Sequence, residues 1–245
     1  MIKDHLTIII PCKNEEGYIE RTLESLNLQF GISDTRVIIA DGGSEDKTLE
    51  QIENFKSSEK NRMVVETIQG GSVSKGRNSG ARLAQSKYVL FLDADVTIPN
   101  ECGIYFCLNS LMSNPKNVLL GTTPIYKGPK ADPRAKLIFF INKITTYIVS
   151  KSQPFAVGSF MMIERETFNQ LGGFDESLHQ SEDWMLSRKV NPDNFILLGG
   201  MITQDNRRFK KFGYFNMVKM VIKNWMNRKN LNHFRKDINY WGKKK

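Results

Sequence analysis

The stretch Lys87-Tyr88-Val89-Leu90-Phe91-Leu92-Asp93-Ala94-Asp95 decides the fold. Tyr88 to Leu92 is a continuous apolar run rich in β-formers, which reads as a strand buried on both faces. It ends in Asp93-Ala94-Asp95. If extended geometry persists there, the period of two puts both carboxylates on one side of the chain, with Ala94 opposite. Two carboxylates that close repel unless a cation or a proton sits between them. Hard oxygen ligands at the open end of a strand suit Mg²⁺ or Mn²⁺. A solvated turn also satisfies so short a pattern, and the rest of the chain has to decide between the two.

Working backward from this strand, strands alternate with helices. Residues 6–10 form a buried-strand pattern stopped by Pro11, and 15–28 carry Tyr18, Ile19, Leu23 and Leu26 at helical spacing. A second strand at 36–40 ends in Asp41-Gly42-Gly43-Ser44. Ser44 then reads as the N-cap of a helix to about residue 55, with Glu45 and Asp46 in its first turn. A third strand at 63–68, a Gly70-Gly71 loop and a helix at 74–85 complete the series. This alternation calls for an α/β fold with a mostly parallel sheet and right-handed crossovers. Ligands of such sheets sit beyond the carboxyl ends of the strands. The polar residues collect there: Lys13 and Glu15 after the first strand, Asp41 at the second, Asp93 and Asp95 at the fourth.

Working forward, the pattern gives a helix at 99–113, a strand at 118–121 and a Gly- and Pro-rich loop at 124–133. Residues 137–150 form a helix whose broad apolar face reads as core, or as the lining of an acceptor groove. A strand at 155–163 and a short helix at 165–171 follow. Ser181 reads as the N-cap of a helix to about residue 190, with Glu182 and Asp183 in its first turn. Acids at that position also complement the helix dipole, so the pair has a purely structural reading as well.

A chain of 245 residues with 40% hydrophobic and 25% charged residues fits one large α/β domain, alone or with a small appendage. No apolar run reaches transmembrane length, and the start does not read as a signal peptide. Cys12, Cys102 and Cys107 have no metal-ligand spacing and point to a reducing compartment. Residues 206–245 hold thirteen Lys or Arg against Asp237, a net +12, while the whole chain is +9, which leaves −3 for the remainder. A basic tail on a faintly acidic body points to an anionic partner, phospholipid or nucleic acid. In the tail, Phe215, Val218, Ile222, Trp225 and Met226 recur at helical spacing with lysines between them. Such a helix suits a membrane interface, or packing on the domain with its basic face solvated. The aromatics form one helix face rather than a stacking platform, which argues against nucleic acid.

Taken together the chain resembles glycosyltransferase family 2 over roughly residues 6–212. The resemblance is carried by Ile10-Pro11-Cys12-Lys13-Asn14-Glu15-Glu16, Ala40-Asp41-Gly42-Gly43-Ser44 with Asp46 and Thr48, and Gly76-Arg77-Asn78-Ser79-Gly80-Ala81. Asp93-Ala94-Asp95, Leu171-Gly172-Gly173-Phe174-Asp175-Glu176 and Glu182-Asp183 complete it. It implies the GT-A nucleotide-diphospho-sugar fold, with a catalytic domain at 1–210 and a basic amphipathic helical tail at 211–245. The nucleotide-binding half would be about 1–98 and the acceptor half 99–210.

The resemblance also implies roles. Pro11, Lys13, Glu15 and Asp41 would cradle the nucleotide, a UDP- or GDP-sugar, and Arg77 would reach its ribose or phosphates. Asp93 would sit near ribose and metal, Asp95 would bind Mn²⁺ or Mg²⁺, and Asp183 would be the base with Glu182 beside it. His179 is a further candidate metal ligand. Processive members carry Gln-x-x-Arg-Trp after the base; here Gln204-Asp205-Asn206-Arg207-Arg208 lacks the Trp. This suggests a non-processive, inverting enzyme in which Arg207 or Arg208 touches the diphosphate. The implied setting is cell-envelope glycan synthesis at the cytosolic face of a membrane, on a glycan or lipid-linked acceptor. The competing readings are a nucleotidyltransferase that makes an activated sugar, and a non-catalytic nucleotide-sugar or membrane-binding module.

Overall fold

The computed structural model describes residues 1–126 and 132–236, with the side chains of Tyr126 and Arg208 left out. The first half runs β1 (Leu6–Cys12), α1 (Ile19–Asn27), β2 (Arg36–Asp41), α2 (Thr48–Lys56), β3 (Val64–Gln69), α3 (Val73–Leu83) and β4 (Tyr88–Leu92). The second half continues α4 (Gly103–Ser113), β5 (Leu119–Tyr126), α5 (Pro133–Ser150), β6 (Phe160–Glu164) and α6 (Arg165–Gln170). It ends with α7 (Glu182–Ser187), β7 (Phe195–Gln204), α8 (Arg207–Phe212), α9 (Tyr214–Met226) and α10 (Leu231–Phe234).

The strands make one seven-stranded sheet in the order β3-β2-β1-β4-β6-β5-β7. β1, β2, β3 and β4 pair in parallel, β6 runs against both β4 and β5, and β5 pairs in parallel with β7. The sheet is therefore mixed but mostly parallel, as the α/β alternation predicts. β1 and β4 are buried along their whole length, consistent with their unbroken apolar runs. Helix α3 packs close to β1: a Cβ on Gly80 would come within 2.5 Å of Ile9. On the same face, Phe91 on β4 meets Phe168 and Phe174, with ring centroids 5.0 and 4.9 Å away.

Several expected boundaries move. β1 runs through Pro11 to Cys12, in register with Asp41. Its pairing to β4 ends at Ile9, so the proline falls on a one-sided stretch of strand where a missing N–H is tolerated. Ser44 does not cap α2: the helix begins at Thr48, while Ser44 holds the loop ahead of it. Strand β7 was not expected at all. The helix α5, read as core, buries only Ala135, Phe139, Thr146 and Ser150, because it lies on the sheet's β5 end and turns its other side outward. No helix among the described residues is long and apolar enough to cross a membrane.

Candidate active site

The carboxyl ends of β1, β2 and β4 bring the polar residues to one edge. β4 stops at Leu92, so Asp93-Ala94-Asp95 is a turn rather than extended strand. This corrects the expectation that both carboxylates face one partner. Asp93 meets Arg77, and Asp95 meets Arg207.

Arg77 is the larger departure. It sits on α3 with its side chain 1% exposed. One guanidinium nitrogen donates to Glu182 Oε1 at 2.8 Å, the other to Asp93 Oδ1 at 2.8 Å and to the Gly158 carbonyl at 3.0 Å. The Phe174 ring lies 5.2 Å away. Arg77 therefore does not extend toward a nucleotide in this structure. It ties the end of β4 to the start of α7. Gly158 leaves room for it, since a Cβ there would sit 2.6 Å from the guanidinium.

Glu182 and Asp183 open α7, but Ser181 is left-handed (φ 58°) and makes no cap. Asp183 accepts instead from the backbone N–H of Gly158 at 2.6 Å and of Trp184 at 2.7 Å. Burial pushes the Glu182 carboxyl up to about 6, the neighbouring Asp183 adds to this, and Arg77 pulls the other way. Burial also raises Asp183, against the pull of Arg77 and of the two N–H donors. Burial disfavours the charge on Arg77, but Asp93, Glu182 and Asp183 outweigh it and hold the guanidinium cationic. Two adjacent carboxylic groups with raised affinity for protons, beside one buried cation, are a proton-handling arrangement.

On the other side, Arg207 reaches from α8 to Glu15 Oε2 at 2.5 Å and Asp95 Oδ2 at 2.8 Å, lying 4.0 Å over the Tyr18 ring. Gln204 donates to the other Asp95 oxygen at 3.2 Å. Tyr18 and Gln204 were missed as site residues, since an aromatic at a helix start and an amide at a strand end carry no chemistry by themselves. Asp41 accepts from the N–H groups of Gly43 and Ser44 and from the Ser44 hydroxyl, shaping the loop after β2. Glu15 N–H donates to Thr48 Oγ1 at 2.7 Å, joining the β1 and β2 loops. Pro11 is buried and Lys13 is exposed at the same edge. Cys12 is a buried filler whose thiol is pushed far up by burial and by Asp41, so it is no nucleophile.

His179 is not part of this group. Its side chain is exposed and its backbone N–H donates to the Phe234 carbonyl. The side chain of Arg208 lies outside the described residues. Among the described residues no three His, Cys, Asp or Glu converge as a metal cluster. The donor chemistry at Asp95 still fits a hard divalent cation. The carboxylate is 2% exposed and already faces a cation, the Arg207 guanidinium. Ions of the Mg²⁺ type often take one or two carboxylates and complete their sphere with substrate phosphates.

The chain is 28% identical to the chondroitin synthase of Escherichia coli over 242 residues, 99% of this chain but 31% of that protein. Two solved structures share the fold. One is S. aureus TarS in complex with UDP-GlcNAc: 21% identity, TM-score 0.62, 83% of this chain and 59% of that one. The other is the mannosyltransferase PcManGT from Pyrobaculum calidifontis in complex with GDP-Man and Mn²⁺: 20% identity, TM-score 0.67, 86% and 58%. The family model described as glycosyl transferase family 2 matches residues 7–172, which take in Asp41, Arg77, Asp93 and Asp95 and stop short of Glu182. With more than half of its length matched, the chain belongs to glycosyl transferase family 2.

Proposed function

We propose that the chain is a metal-dependent, inverting, non-processive glycosyltransferase. It would move a sugar from a UDP- or GDP-sugar to a hydroxyl or phosphate of a glycan or lipid-linked acceptor. The observation that carries this reading is the Arg77 bridge: one buried guanidinium joins Asp93, after β4, to Glu182, beside Asp183. Donor-side and base-side carboxylates are thereby held on one rigid framework, which positioned proton transfer requires.

In this reading residues 1–98 hold the donor, with Pro11, Lys13, Glu15 and Asp41 around the nucleotide, and 99–210 receive the acceptor. Asp183 takes the proton of the acceptor hydroxyl as the acceptor oxygen attacks the anomeric carbon and the diphosphate departs. Inversion follows from a single displacement with no covalent enzyme intermediate. A Mn²⁺ or Mg²⁺ ion held by Asp95 would neutralise the leaving diphosphate. Arg207, once off Asp95, would turn to the same phosphates. The UDP-GlcNAc of the TarS complex and the GDP-Man and Mn²⁺ of the PcManGT complex support the donor and metal classes. The proposed place of action is the cytosolic face of an anionic membrane, contacted through 206–245.

The test is binding and turnover across a panel of nucleotide sugars with Mn²⁺ or Mg²⁺, on wild type and Asp183→Asn. Wild type should release nucleoside diphosphate from one donor, while Asp183→Asn binds that donor and stays silent. Full turnover by Asp183→Asn removes the base assignment, and no binding of any nucleotide sugar removes the reading as a whole.

A further inference from the structure

Large apolar side chains exposed to solvent are not spread evenly over this molecule. Among the described residues 23 are exposed; six lie on α5 and six on α9. Phe140, Ile144 and Ile148 on α5 are 59%, 43% and 62% exposed, and Phe215, Ile222 and Met226 on α9 are 79%, 55% and 74% exposed. Such concentration marks a surface that is covered by something in use.

The two helices meet at their N-terminal ends. Asp132, the N-cap of α5, accepts from the Tyr214 hydroxyl at 2.5 Å and from Asn206 at 2.7 Å. Phe139 of α5 meets Phe209 of α8, centroids 5.8 Å apart, and Phe209 stacks on Tyr214 at 5.5 Å. α9 is anchored on its other side: Asn224 donates to Gln180 and Ser181, and Trp225 stacks on Trp184 at 6.0 Å.

The charge of the chain follows the same two segments. Residues 206–245 carry +12, and residues 127–151 hold six Lys or Arg against Asp132, a net +5. The whole chain is +9, so everything else carries −8. The segments that contain the two helices richest in exposed apolar side chains thus hold all of the net positive charge. Lys136 and Lys143 on α5 and Lys219 and Lys223 on α9 are exposed beside those apolar residues. Apolar side chains with cations beside them match the acyl boundary and headgroups of an anionic bilayer. The acidic remainder would be repelled by the same surface, which orients the molecule on it.

We infer that α5 and α9 together form a docking surface for an anionic phospholipid bilayer, with α5 as a contact equal to the basic tail. This deepens the membrane partner of the proposed function and is independent of the transfer chemistry. The experiment is co-sedimentation of the full chain with vesicles of phosphatidylcholine, with and without phosphatidylglycerol. The variants are Phe140→Glu with Ile148→Glu on α5, and Phe215→Glu with Ile222→Glu on α9, each checked by circular dichroism.

Wild type should bind the phosphatidylglycerol vesicles, release from them in high salt and ignore the neutral ones. Each variant pair should bind at least about tenfold more weakly. Undiminished binding by the α5 pair returns the contact to the tail alone and overturns the inference. So does equal binding to neutral vesicles, or a dimer in solution that the substitutions split without any vesicle binding. Metal-dependent donor hydrolysis by the same variants, measured without vesicles, should match wild type. Its loss in wild type would count against the transferase reading and leave the docking surface standing.

Discussion

Replacing Arg77 by Met tests whether the buried bridge holds the site together. The methionine keeps most of the stem and removes the guanidinium that lies 2.8 Å from both Asp93 and Glu182. Breaking a buried ion pair from one side costs about 3–5 kcal/mol, because the partner charges stay behind uncompensated. A domain of this kind has only about 5–15 kcal/mol in total. Part of the loss can be escaped by protonation. Glu182 is already pushed up to about 6 in the intact protein, and without the cation it must rise further. A carboxyl whose folded pKa lies above its unfolded value binds more protons folded than unfolded. Its folded state is therefore favoured at low pH and loses ground as pH rises through the folded pKa. Wild type should lose stability from this group between about pH 4.5 and pH 6. Arg77→Met should lose more, and over a range reaching to higher pH. Urea denaturation followed by far-UV circular dichroism at pH 5 and pH 8 reads this directly. A loss under about 1 kcal/mol at pH 8, or one of equal size at both pH values, would refute the reasoning. Arg77→Lys should fall between, since an ammonium cannot span both carboxylates as the fork does.

Arg207→Gln should bind Mn²⁺ without nucleotide about tenfold more tightly than wild type, because the guanidinium no longer competes at Asp95. Paramagnetic resonance of free Mn²⁺ measures it, and unchanged or weaker binding would count against the competition. If Asp183 is the base, the acid limb of kcat/KM should lie above the ordinary carboxylate range, because burial raises Asp183 and a base must be deprotonated to act. A limb at the value of a free aspartate would remove Asp183 as the titrating base. Gly158→Ala should cost about 1–3 kcal/mol, read as a lowered Tm, since its Cβ would meet the Arg77 guanidinium at 2.6 Å. An unchanged Tm would mean that the guanidinium is not tightly seated.

The central sheet was legible because β1, β2 and β4 are buried runs whose composition needs no context. β7 was not. Its first four residues, Phe195-Ile196-Leu197-Leu198, are β-formers, but Gly199-Gly200 interrupts them and the edge strand is only half-buried, so no periodicity survives. The carboxylates at strand ends were legible one by one from the rule that parallel sheets gather ligands there. Their partners were not, because an arginine in a helix reads as surface and nothing local says that Arg77 is buried. The available signal was its setting. Gly76 and Gly80 flank it on a helix that lies against Ala40 and Ile9, and only a helix packed that closely turns an arginine inward. Arg207 or Arg208 was read as a contact to the diphosphate, and here the Arg207 guanidinium is matched instead by Glu15 and Asp95.

The helices that follow Arg207 tie the two ends of the site to the tail. Arg207 opens α8, which is followed directly by α9, and α9 rests on Trp184 and on the Gln180-Ser181 turn before Glu182. A short, packed path therefore joins α8, whose Arg207 meets Asp95, to α7, which carries Asp183. Trp184, Met185, Leu178 and Phe234 make a separate apolar cluster at that junction, which packs α7 against α10. If the α5 and α9 face is seated on a bilayer, α9 is held from outside while its inner side holds α7. Substituting Trp225 by Ala should then loosen the grip on α7, shifting the acid limb that reports Asp183, while the vesicle-facing residues stay in place. A limb unmoved by Trp225→Ala would show that α9 covers the base without positioning it.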